Sequence, residues 1–148
     1  MPWAELAERF RPAQPDGKAS GGCQKDIAAR IRAKRADYLL GLKANHGHAF
    51  EAVREHFERT CFGRGSGGRP VFDAFDESHG RLVRRRVFVS PAAGELEPLR
   101  GWSDLRAVLA VEAIRGITGT GKVEAEIRYF LTSCGDDPAV LVRAIRRH

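Results

Sequence analysis

The chain carries five histidines, three cysteines and nineteen acidic residues that could bind metal or act as acid, base or nucleophile. His46 and His48 form an HxH pair beside Asn45, with His56, Cys61 and His79 as the nearest further zinc donors. Their spacing matches no zinc finger, so they read as solvated loop histidines. A cysteine nucleophile needs a base and an oxyanion site, and nothing marks either around Cys23, Cys61 or Cys134. The glycine-rich GRGSGG and GITGTGK segments lack the Walker spacing and the strand-to-helix setting of a phosphate loop. Two-metal phosphoryl transfer needs carboxylates that converge at strand ends. Asp16 stands in a turn-like DGK and by itself reads as a solvated loop aspartate. Asp26, Asp37, Glu51, Glu55 and Glu58 fall at helix caps and helix surfaces, and Asp73 and Asp76 flank a hairpin.

Arginine gives a stronger signal. Arg81, Arg84, Arg85 and Arg86 fall on one predicted strand, and Arg143, Arg146 and Arg147 with His148 fall on a final helix. A guanidinium is a planar fork of donors that matches phosphate. In strand alternation Arg84 and Arg86 share one face, while Arg85 shares the other with Val83 and Val87. The competing reading is an exposed charged edge that discourages strand-to-strand aggregation.

The elements that would position these residues follow from periodicity. Residues 1–22 are irregular: Trp3, Leu6 and Phe10 have helical spacing, but RPAQPDGKASGG breaks any regular element. Residues 24–35 read as a helix with Ile27 and Ile31 on one face. Residues 38–43, YLLGLK, are a continuous apolar run, the pattern of a strand covered on both faces. Phe50, Val53 and Phe57 then recur at helical spacing. Residues 23–60 are thus helix, strand, helix, a fragment of an α/β sheet. Residues 61–70 form a glycine-rich linker. Beyond it the period changes to two, with predicted strands at 71–76, 82–89, 105–112 and 123–132, so that 71–133 is expected to be an antiparallel sheet. In the last strand Val123, Ala125, Ile127, Tyr129 and Leu131 share one face. Residues 136–148 start a helix, with Asp137 as N-cap and Pro138 at the first helical position.

A chain of 148 residues is about one domain and long enough to fold without staples. Net charge +6 and a pI near 9.7 favour a polyanionic partner such as nucleic acid, or an anionic membrane surface, against the competing reading of a generic solvated basic surface. No run approaches the ~18 apolar residues of a membrane span. The N-terminal MPWAELAERF is charged and lacks the apolar core of a signal peptide, and the cysteines are scattered and odd in number. The expectation is a cytoplasmic protein with no membrane partner.

Several ordered blocks resemble insertion-sequence transposases of the H-repeat-associated kind. Gly22-Cys23-Gln24 followed by Ile27-Ala28 resembles the GCQ-x-x-IA block, and Asp37 to Asn45 resembles DYLL-x-LK-x-NQ, with His46 where the Gln usually stands. His79-Gly80-Arg81 with Arg84 to Arg86 resembles HGRIE-x-R, and Arg128 to Ser133 resembles RYY-I-S-S. Val142 to His148 resembles the start of the AVR-x-HW-x-IEN helix. The resemblance runs over about residues 21–148. It implies a DDE enzyme with an RNase H-like core, in which three carboxylates hold two Mg²⁺ ions that activate the attacking oxygen and stabilise the leaving one. It also implies the fold class: a partial RNase H-like α/β core, then a mostly antiparallel β insertion, then a truncated C-terminal helix that would bear the Glu.

The catalytic positions depart from that pattern. Ala19 falls where the second Asp belongs, without its preceding strand, and the IEN that supplies the third carboxylate is not reached by His148. Asp16 in DGK-Ala19 resembles a remnant of the first, DGK-x-LRG, Asp, and is the one implied metal ligand left. The expectation is a transposase fragment, internally deleted and catalytically inactive alone, that binds DNA through Arg81, Arg84, Arg85, Arg86, Arg143, Arg146 and Arg147. The alternative is a regulatory remnant that binds DNA or a full-length transposase.

Overall fold

In the computed structural model, residues 21–78, 80–91, 95–117, 119–135 and 137–147 are described. The first helix, α1 (Gly21–Ala33), buries Ala28 and Ile31, one turn apart, with Ile27 packed beside them. Strand β1 (Leu39–Leu42) follows, with Leu39, Leu40 and Leu42 all buried. Consecutive buried leucines require cover on both faces, as the apolar run predicts. Helix α2 (His48–Phe57) turns Val53 and Phe57 inward and ends in a single wide turn over Glu58–Phe62. The amide of Gly68 then donates to the carbonyl of Thr60 at 2.7 Å, an approach so close that a Cβ would collide with that carbonyl.

Four longer strands complete the sheet: β2 (Phe72–Ser78), β3 (Arg81–Ser90), β4 (Ala107–Ile117) and β5 (Val123–Thr132). The spatial order is β1-β5-β4-β3-β2, and every neighbouring pair is antiparallel. The architecture is therefore mixed α/β, helices on a five-stranded antiparallel sheet. The strand of the 23–60 stretch shares that sheet with the strands of 71–133, because β1 pairs with β5 from Leu39↔Thr132 to Leu42↔Tyr129. The final helix, α3 (Pro138–Arg147), begins as its sequence predicts: the Asp137 side chain accepts the amide of Ala139 at 3.0 Å. Among the described residues no helix is long and apolar enough to cross a membrane.

The register divides the core in two. On one face, here face A, α1 and α2 cover Leu40, Leu42, Phe88, Val108, Ala110, Tyr129 and Leu131. On the other, face B, α3 lays Leu141, Ala144 and Ile145 against Leu39, Val87, Leu109, Val111 and Phe130. A polar knot fixes the end where both cores meet. Arg32 pairs with Asp37 at 2.7 Å and Asp104 at 3.0 Å, and Ser133 donates to Asp37 while accepting the amide of Tyr38. Away from that knot the sheet outruns its helices. Val123 is 69% exposed and Phe75 63%, although both lie on the same face as the buried Tyr129 and Phe88.

Candidate nucleic-acid interface

Strand alternation splits the β3 arginines between the faces, as their spacing predicts. Arg84 and Arg86 lie on face A, where carboxylates occupy both forks. Arg84 binds Asp73 in bidentate fashion, Nε to Oδ1 at 2.9 Å and Nη2 to Oδ2 at 2.7 Å, with its guanidinium 5.3 Å from the Phe75 ring centre. That contact holds Asp73 below the usual carboxylate range. Arg86 donates to Glu112 Oε1 at 2.6 Å and lies over Phe88. Both arginines thus bridge neighbouring strands.

Face B differs. Arg81 and Arg85 point there from β3, Arg115 from β4, and Glu126 and Arg128 from β5. Arg85 stands opposite Ala113, which in turn stands opposite Glu126. A methyl group between two long side chains cannot fill the row, so a hollow remains there. Ile145 and Arg146 of α3 close its near end. The result is a cavity of about 150 Å³ whose charged rim is Arg85, Arg115, Arg128, Arg146 and Glu126.

Glu126 anchors two of the four guanidinium groups. It accepts from Arg128 Nε at 3.1 Å and from Arg115 Nη1 at 3.4 Å. The hydrogen bond from Arg128, then its charge, then Arg115 hold the Glu126 carboxyl below its ordinary value. Among the described residues neither Arg85 nor Arg146 has an acidic partner within ion-pair distance. Arg143 and Arg147, four residues apart, are exposed on α3, and Arg146 and Arg147 suit the negative end of the helix dipole. Among the arginines read from sequence, the fold therefore brings Arg85 and Arg146 to one hollow and puts Arg84 and Arg86 on the opposite face. Arg115 and Arg128 join the hollow unforeseen. Arg128 was legible as part of the polar face of its strand, but Arg115 lies beyond the predicted end of β4.

Of the histidines offered as zinc donors, His46 and His56 stay in separate settings, and His79 lies outside the described residues. His46 Nδ1 accepts the amide of Lys43 at 2.9 Å in a local turn, and His56 Nε2 meets Ser90 Oγ at 2.7 Å beneath α2. Among the described residues no three His, Cys, Asp or Glu side chains stand close enough to hold a metal ion. Asp16 lies outside the described residues, as does His148.

No family model matches the chain, and no solved structure matches it. Curated proteins do. The chain is 34% identical over 129 residues to "Putative transposase YncI" of Escherichia coli O157:H7, covering 86% of this chain and 33% of that protein. It is 30% identical over 133 residues to "H repeat-associated putative transposase YhhI" of Escherichia coli K12, covering 86% of this chain and 34% of the relative. It is also 34% identical over 117 residues to a protein encoded in the dhlA 3′ region of Xanthobacter autotrophicus, whose name assigns no activity, covering 79% of this chain and 38% of that one. The chain thus spans about a third of the length of the curated relatives it matches. Over that third, the chain is similar to proteins named as putative transposases.

Proposed function

We propose that this chain is a transposase-type DNA-binding fragment that meets duplex DNA through face B and α3 and does not itself cut strands. The observation that carries the DNA contact is the sidedness of its arginines. Arg81, Arg85, Arg115 and Arg128 share face B beside Arg143, Arg146 and Arg147 of α3; of these only Arg115 and Arg128 are paired with a carboxylate among the described residues, both with Glu126, whereas on face A Arg84 and Arg86 are each engaged by a carboxylate of their own. Contacts from such forks to phosphate oxygens carry no base readout, so binding through them is largely independent of sequence and sensitive to salt. The DDE and RNase H-like reading rests on the motif blocks between Gly22 and His148. The inactivity reading rests on Ala19 at the second carboxylate position.

The test is a mobility-shift series with unrelated duplexes from low to high salt, followed by incubation with Mg²⁺ or Mn²⁺. The expected result is binding that weakens steeply with salt and leaves the strands intact. Salt-independent binding refutes the DNA reading. Metal-dependent nicking lost in Asp16→Asn refutes the inactivity reading.

A second reading, pairing with a full-length transposase, is favoured by one observation. Phe75, Leu82, Val123 and Ile127 expose apolar surface on the uncovered part of face A. Co-purification with an intact relative supports it, and no association at micromolar concentration refutes it.

A further inference from the structure

We infer that the face B hollow is a seat for a single phosphate group, bound by the guanidinium forks of Arg85 and Arg146. This deepens the DNA reading and rests on it for the source of the phosphate, but not for the site. Three observations converge. First, four guanidinium groups from β3, β4, β5 and α3 ring one concavity, so the site exists only in the folded chain. Second, the charges do not cancel. The single rim carboxylate, Glu126, is committed to Arg115 and Arg128, which leaves Arg85 and Arg146 as the lining arginines without an acidic partner among the described residues. Third, the size suits the ligand. A hollow of about 150 Å³ has room for roughly five waters at ~30 Å³ each, and so for one phosphate group with residual water.

Glu126 has a positioning role in this arrangement. By bridging Arg115 and Arg128 it holds their positive charge at the rim, where it adds to the attraction for an anion bound by Arg85 and Arg146. It also repels the anion directly. The seat therefore favours an anion that can reach the Arg85–Arg146 side and keep away from the carboxylate. A phosphate joined to a nucleic acid strand and inorganic phosphate share that chemistry, and the experiment separates them.

The full chain is titrated with inorganic phosphate at constant ionic strength, reading its melting temperature against chloride. In parallel, duplex affinity is measured between 50 and 200 mM salt. Both are repeated for Arg85→Gln/Arg146→Gln and for the charge-preserving Arg85→Lys, which keeps the cation and loses the fork. With the seat present, the double variant loses about one phosphate contact, so its affinity falls about 3.5-fold less across that salt range than the wild type's. Arg85→Lys keeps the salt slope but binds more weakly. If inorganic phosphate is bound as well, it raises the wild-type melting temperature and not that of the double variant. A DNA effect without a phosphate effect supports a seat for strand phosphates. A phosphate effect in a chain that binds no DNA supports the seat and refutes the DNA reading. An unchanged salt slope together with no phosphate-dependent stabilisation of the wild type overturns the seat, whether or not the wild type binds DNA.

Discussion

Leu141→Ala is the sharpest probe of how the arginine side is built. Leu141 is 1% exposed and, with Ala144 and Ile145, is one of three α3 residues buried in the face B core. Truncating a buried leucine to alanine costs about 2–5 kcal/mol, and less where neighbours can close the gap. A ten-residue helix lying on one face of a sheet can settle toward it, so about 2–3 kcal/mol is expected. With a urea slope of about 1.5 kcal/mol/M, the unfolding midpoint falls by about 1.3–2 M. The assay is urea denaturation followed by tryptophan fluorescence and far-UV circular dichroism. Trp102 is buried in the opposite core, so it reports the whole fold and not the helix alone. Arg143→Ala, exposed on the same helix, stays within about 0.5 kcal/mol of wild type and serves as the control. A Leu141→Ala midpoint within about 0.3 M of wild type at unchanged slope would show that α3 does not hold the sheet as described.

Two further predictions concern charge. Arg86→Gln leaves Glu112, 12% exposed at its side chain, without its partner and destabilises by about 1–3 kcal/mol. Arg84→Gln breaks a half-exposed surface pair and lowers the urea midpoint less than Arg86→Gln does. The third prediction is a pH dependence. Burial, then the charge of Arg59, pushes the His56 pKa below its ordinary value near 6.5. The unfolded chain then binds the proton first, so stability is full above that ordinary value and falls as pH drops through it toward the lower folded value. His56→Gln flattens the slope of midpoint against pH below 6.5, and an unchanged slope refutes the assignment.

Much of this architecture was legible locally. The consecutive leucines of β1 called for cover on both faces, and they have it from α1 and α2 on one side and α3 on the other. Asp137 and Pro138 marked the start of α3, and the alternation of β5 assigned its faces correctly. Alternation gives a face, however, and not whether that face is covered. Val123 and Leu131 share a pattern, yet one is 69% exposed and the other fully buried, because the helices stop short of the strand's first half. The end of β4 differs from its sequence pattern for a related reason. Glu112, Arg115 and Gly116 interrupt its apolar run, and the strand continues because pairing holds it, with β5 as far as Gly116 and with β3 as far as Ile117. The hollow itself was out of reach of sequence. It depends on the register that sets Arg85 opposite Ala113 and Ala113 opposite Glu126, and on where α3 docks, all of which are non-local.

The central claim is that DNA meets face B and not face A. Fluorescence anisotropy of a labelled duplex, titrated at several salt concentrations, tests it with three proteins: wild type, Arg143→Gln/Arg147→Gln, and Arg84→Gln. The account predicts a wild-type slope of log affinity against log salt steeper than about −2, the equivalent of at least two phosphate contacts. It predicts a shallower slope for the α3 variant and the wild-type slope for Arg84→Gln. A salt slope near zero in the wild type, or a greater loss from Arg84→Gln than from the α3 pair, would contradict it.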